Sequence, residues 1–251
     1  MDTLSQRWAR LQPHTTMVGP DDDRPRPAVL LFHGCGGLRG HLPKYAEVAR
    51  QAGWRAFTVD SYAPRGWSRP FALATVCTGL LLRGGERAGD ILAALHGVSQ
   101  RRDVDASKIV LAGWSHGGWG IMEAMSADRS GPSLGVADPG GIALDGVVGT
   151  YLAYPYVGAA AFNRMRPWRH CPRTLAVIAR SDHLTTVRNA ERVHDMVRKC
   201  GVEVETWIAE GTHSFDEPMT APPMRYDPAL GDEALRRFGA LLGDVAVAPA
   251  A

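Results

Sequence analysis

Ser115 lies in "GWSHGGWG" (residues 113–120), bracketed by Gly113 and Gly117 in the pattern G-x-S-x-G, directly after the apolar run "KIVLA". A serine that fills a surface turn needs no glycine two residues before it and another two after. A strand ending in glycine, a serine at a sharp turn and a glycine that admits a close helix together describe a nucleophile elbow. The strained turn lifts the hydroxyl above the sheet edge, and small neighbours remove the clashes this creates. The alternative, a plain glycine-rich turn, does not account for the strand before the motif or the helical pattern after it.

A serine hydroxyl is a poor nucleophile at neutral pH, so an imidazole must take its proton and a carboxylate must orient the imidazole. In an elbow architecture the partners follow in the order serine, acid, histidine, each just past a strand end. Asp182 closes the apolar run "LAVIARSD", and His213 lies in "EGTHSF" beyond the last strand. Both positions fall on the sheet edge that carries the serine. Of the other candidates, His183 and His194 belong to a segment entering or forming a helix, His170 to a long loop and His96 to a helix, while Asp138 and Asp145 precede a strand. The oxyanion formed by attack needs backbone donors already in place. One is the N–H of His116, and the second is the N–H of Cys35 in the glycine-rich "HGCGG" (33–37). A thiol nucleophile at Cys35 would lack the elbow.

The elements that must position these groups alternate between strand and helix from about residue 27, the mark of parallel βαβ units and an α/β fold with a mostly parallel, doubly wound sheet. Strands are expected at 28–34, 54–61, 108–114, 143–154, 173–182 and 202–213, and helices at 42–53, 86–100, 119–128, 185–201 and 227–243. A single domain over 1–251 is expected, with its core at about 27–243 and a peripheral N-terminal extension and frayed tail "DVAVAPAA". Two connections, 62–85 and 155–172, are too long for simple turns and read as lids or pocket walls. From these segments Arg65, Trp67, Tyr154, Tyr156 and Trp168, with Arg87 beside them, are candidates for a substrate pocket; ion pairing for the arginines and core packing for the aromatics are the alternatives.

The formal net charge is +2, from 28 basic and 26 acidic residues spread along the chain, so no field for nucleic acid or an anionic membrane is expected. Without an apolar leader or spanning segment, a soluble cytoplasmic protein is the expectation. Cys35, Cys77, Cys171 and Cys200 lie far apart, so reduced thiols are the default, with a Cys35–Cys77 bridge left open. No histidine pair has helical zinc spacing and no phosphate or dinucleotide loop is present, so neither a metal nor a cofactor is expected. Monomer and homodimer are both open.

"HGCGG", "DSYAPRG" (60–66), "ERAGD" (86–90), "GWSHGG" and "GTHSFDEP" (211–218), in this order and spacing, resemble the dienelactone hydrolase family of α/β-hydrolases over roughly residues 27–243. The resemblance implies an α/β-hydrolase fold, a Ser115–His213–Asp182 triad and backbone donors at Cys35 and His116. The namesake enzymes carry a cysteine nucleophile and an arginine shortly after the catalytic histidine. Here those places hold Ser115 and the pair Asp216 and Glu217, which points to a neutral ester or lactone as the small-molecule substrate. The expected function is a serine hydrolase acting through an acyl-enzyme. The alternatives are an acyltransferase or thioesterase with the same triad, and a non-catalytic ligand-binding relative.

Overall fold

The computed structural model describes residues 1–130, 134–161 and 164–247. After helix α1 (Leu4–Leu11) and strand β1 (Thr15–Val18) the chain alternates: β2 (Arg26–Phe32), α2 (Leu42–Gln51), β3 (Arg55–Val59), α3 (Arg69–Thr75), α4 (Gly84–Ser99), β4 (Val104–Trp114) and α5 (His116–Ser126). Then come β5 (Val147–Ala153), β6 (Arg173–Ser181), α6 (Val187–Lys199), β7 (Val204–Thr212) and α7 (Pro228–Val247). The strands form one seven-stranded sheet in the order β1-β3-β2-β4-β5-β6-β7. Only β1 runs antiparallel, so the α/β, doubly wound architecture is as the sequence led one to expect.

The run "AVLLF" shows why β2 is central. Ala28, Leu30 and Phe32 enter the core shared with α1, α4, α5 and α6, whereas Val29 and Leu31 enter the core under α2 and α7. A strand buried on both faces has no use for polar alternation. From β2 the chain moves outward to β3 and then returns to β4 on the other side of β2. This reversal opens a crevice at the carboxyl ends of β2 and β4, where ligands of such sheets bind.

The N-terminal extension is not peripheral. Thr3 and Gln6 form a reciprocal capping box at the start of α1, and Leu4 and Leu11 are buried. Arg7 pairs with the buried Asp90 of α4 at 2.7 Å, and the Leu4 N–H donates to Asp138 at 2.7 Å. The expectation missed this because a single short amphipathic turn says nothing of what it covers. The C-terminal tail is likewise corrected: α7 continues to Val247 with Val245 buried, while residues 248–251 lie outside the described set.

The segment 62–85 contains α3 and keeps a small cluster of its own, Tyr62, Ala72, Val76 and Leu82, with Cys35 and Trp67 packed against it. Cys35 and Cys77 are joined by a disulfide, which corrects the reduced-thiol default for this pair; Cys171 and Cys200 are free. Positions 42 residues apart meet because α3 folds back over the loop after β2. Closing such a loop is worth about 2–4 kcal/mol. No helix among the described residues is long and apolar enough to cross a membrane.

Candidate active site

β4 delivers Ser115 at φ 50° and ψ −107°, a left-handed-side conformation costly for any residue with a Cβ. The two glycines of the motif are required by close approach. A Cβ on Gly113 would lie 2.6 Å from backbone atoms of Gly117 and Gly118, and one on Gly117 would overlap the Phe32 carbonyl. The turn is thus wedged between β2 and α5, and α5 begins at His116, three residues before the expected helix start.

Ser115 Oγ lies 2.8 Å from His213 Nε2, and His213 Nδ1 lies 2.7 Å from Asp182 Oδ2. The other Asp182 oxygen accepts the N–H groups of Leu184 (2.7 Å) and Thr185 (3.1 Å), which fixes the carboxylate plane. All three side chains are nearly removed from water. The two late partners reach the serine because β6 and β7 end at Ser181 and Thr212 on the same sheet edge. With Asp182 accepting from Nδ1–H, Nε2 carries the lone pair that faces the hydroxyl.

The candidate oxyanion donors also meet here. Among the described residues neither the Cys35 nor the His116 backbone N–H donates to a protein acceptor, and both residues line the same cavity as Ser115. Two second-layer histidines hold this region. His33 accepts from the Ser61 N–H at 3.2 Å and donates from Nδ1 to the Gly34 carbonyl at 2.7 Å. His116 donates from Nε2 to the Leu82 carbonyl at 2.6 Å, and burial, aided by Arg87, depresses its pKa to about 3, so the ring stays neutral. Its side chain therefore braces the loop over the pocket.

A cavity of about 320 Å³ opens beside Ser115, walled by Trp119, Tyr156 and Leu184 from the body and by Val76, Thr78 and Arg83 from the 62–85 segment. Of the expected pocket residues only Tyr156 lines it. Arg65 makes a paired contact with Asp90 at 2.9 Å, and Trp67 packs on Tyr62 and Phe71. Arg87 is fully buried beneath the loop, with Nη2 donating to the His33 carbonyl. Trp168 belongs to the hydrophobic core, and Tyr154 is buried behind His213, ring centroids 4.8 Å apart. Large amphipathic side chains in these loops serve the supports of the pocket more than its wall. Trp119 was missed, yet it stands four residues after Ser115, one helical turn on, and so faces the same side. The expected wall segment 155–172 includes residues 162 and 163, which lie outside the described residues.

Asp216, noted above for standing where the namesake enzymes have an arginine nearby, is buried and accepts from Tyr45 (2.7 Å), Trp114 Nε1 (3.1 Å) and Tyr154. It anchors the loop that carries His213. Its neighbour Glu217 sits 3.3 Å from Arg39, but burial first, and then Asp216, push its pKa up to about 7. A carboxyl raised in the folded state stabilises below its ordinary value of 4.5, and that contribution is lost as pH rises through about 7. Between those limits the wild type is expected to lose stability on the order of 1–3 kcal/mol relative to Glu217→Gln. Urea unfolding of both proteins across this range checks the sign; parallel pH curves would refute it. Among the described residues no group of three or more His, Cys, Asp or Glu side chains is placed to hold a metal ion.

The mostly parallel sheet and the tight turn at the end of β4 have the layout of the α/β-hydrolase fold. Residues 14–133, the stretch from β1 to α5 that carries Ser115, match the model of the dienelactone hydrolase family. Among solved structures, Thermogutta terrifontis esterase 2, phosphorylated by paraoxon, superposes with a TM-score of 0.67 at 15% identity, covering 92% of this chain and 88% of that one. A dienelactone hydrolase-like promiscuous phosphotriesterase from metagenomic libraries gives 0.66 at 17% identity, covering 92% of each chain. At these identities the likeness is one of fold. No curated protein matches the chain in sequence.

Proposed function

We propose that this protein hydrolyses carboxylic esters or lactones through an acyl-enzyme on Ser115. The observation that carries this is the unbroken hydrogen-bonded chain from Ser115 Oγ through His213 to Asp182, at the edge of a cavity of small-ligand size. His213 accepts the serine proton as Oγ attacks the carbonyl, and the imidazolium that forms is held by Asp182. The Cys35 and His116 N–H groups receive the charge on the carbonyl oxygen. His213 then returns the proton to the leaving alcohol, and water, activated by the same imidazole, releases the acid.

The wall of Val76, Trp119, Tyr156 and Leu184 favours an apolar acyl or alcohol group of modest length. The names of its structural neighbours, an esterase and a phosphotriesterase, fit a site that takes esters at a serine. The test is hydrolysis of a series of p-nitrophenyl acyl esters, with fluorophosphonate labelling in parallel. The expected profile rises to a short-to-medium chain and falls beyond it, because a cavity of about 320 Å³ holds few methylenes beyond the ester. A folded wild type that turned over no ester and took no label would sink the proposal. Product analysis with a competing amine or alcohol distinguishes hydrolysis from acyl transfer.

A further inference from the structure

We infer that Cys77 is a positioning residue for the reaction: through its disulfide to Cys35 it holds both the oxyanion loop and the 62–85 wall of the pocket in their working arrangement. The inference rests on the ester-hydrolase reading for its catalytic consequence, and on the fold alone for the tether.

The disulfide sits at an unusual place. Cys35 supplies one of the two candidate oxyanion N–H groups, and both cysteines line the cavity beside Ser115. Beyond the Arg65–Asp90 pair at its start, the wall has few other fastenings. Its apolar cluster is only Tyr62, Ala72, Val76 and Leu82, while Phe71, Leu73, Leu80 and Leu81 remain exposed. Polar ties between the wall and the site are the Tyr62 hydroxyl donating to the Cys35 carbonyl at 3.0 Å and His116 Nε2 donating to the Leu82 carbonyl at 2.6 Å. The loop bearing Cys35 has glycines on both sides, Gly34, Gly36 and Gly37, and so has little stiffness of its own. A covalent link at Cys35 removes the freedom that these glycines confer, which is what a preorganised donor requires.

Cys77 is exposed and Cys35 partly so, which makes the bond accessible to a small dithiol. The exchange balances as a two-electron step. A reagent thiolate attacks one cysteine sulfur and the S–S bond breaks, expelling the other as thiolate. The reagent's second thiol then displaces the first cysteine and closes a reagent disulfide. The protein gains two thiols, Cys35 and Cys77, which take up the two reagent protons. The Cys35 backbone N–H survives but loses its anchor.

The test compares oxidised wild type, wild type reduced with a dithiol, reoxidised wild type and Cys77→Ser. Alkylation and mass analysis count the thiols, expected to rise from two to four on reduction. Backbone hydrogen exchange is followed at 34–37 and 62–83, together with kcat, KM and the melting transition. Reduction is expected to speed exchange in both segments, to lower kcat by about tenfold or more with a smaller change in KM, and to leave a cooperative melt. Reoxidation should restore kcat, and Cys77→Ser should be slow and indifferent to dithiol. Unchanged exchange at 34–37 after full reduction would overturn the tether whatever the activity. Unchanged kcat in an active, fully reduced enzyme would overturn its catalytic role. An oxidised wild type inactive toward every ester would instead count against the ester-hydrolase reading, and the exchange data would still decide the tether.

Discussion

Ser115→Ala is expected to lower kcat/KM for the best p-nitrophenyl ester by about 10⁴–10⁶-fold and to abolish fluorophosphonate labelling, while the melting temperature stays near that of the wild type. The methyl group replaces a hydroxyl that makes one hydrogen bond, to His213, and the strained φ of 50° remains as costly for alanine as for serine. Stability therefore changes little while the acyl-enzyme route closes. The residual rate measures what the oxyanion donors and binding supply alone. Asp182→Asn gives the complementary result. An amide in place of the Oδ2 acceptor favours the wrong imidazole tautomer, so kcat should fall about 10⁴-fold with KM nearly unchanged. An Ser115→Ala enzyme that kept its ester turnover would remove Ser115 from the mechanism.

The second large effect is on stability. Asp216→Ala is expected to destabilise the fold by about 3 kcal/mol or more. The variant leaves the Tyr45 and Tyr154 hydroxyls and the Trp114 indole N–H, all buried, without the acceptor they share. Burial, then the charge of Asp216, keeps both tyrosines protonated, so they cannot take over as anions. Each stranded donor carries a desolvation cost, and the side chain leaves a void among packed rings. Tyr154 also lies against the His213 ring, so the loss should extend to catalysis. Urea unfolding at pH 7 measures the first effect. A midpoint unchanged within error would show that water or repacking replaces the carboxylate.

Ser115, Asp182, His213 and the Cys35 loop, proposed as triad and oxyanion loop, stood out in the sequence because each sits at a strand end marked by composition. "KIVLA", "LAVIARSD" and "VETWIAEGTH" are apolar runs that stop abruptly, and a residue just past such a stop lies on one edge of a parallel sheet whatever the details of packing. Glycines 113 and 117 carried the same information, since a backbone approach that admits no Cβ leaves its trace in residue type. Gly34 and its neighbours around Cys35 marked the other loop. These signals are local, and a chain can be read one strand end at a time.

The pocket was not legible in this way. Whether Arg65 meets a substrate or Asp90, and whether Trp168 faces a cavity or the core, depends on neighbours tens of residues away. Such contacts leave no periodicity in the chain. The same holds for α1, whose Leu4 and Leu11 find their place only because α4 and Asp138 wait for them. It holds too for Asp216, which the sequence offered as a missing arginine and the structure makes the shared acceptor of three buried donors. The disulfide is the sharpest case: the cysteines were visible, but only the return of α3 over the loop after β2 brings Cys77 to Cys35. The sequence by itself determined the six parallel strands, the edge on which they end and the residues on that edge, but not the antiparallel edge strand β1, because strand burial and glycine close approach are encoded residue by residue whereas β1 is mostly exposed. Tertiary structure alone decided the wall of the pocket, its tether and its supports, because partner choice among distant side chains is settled by the packing of the whole chain.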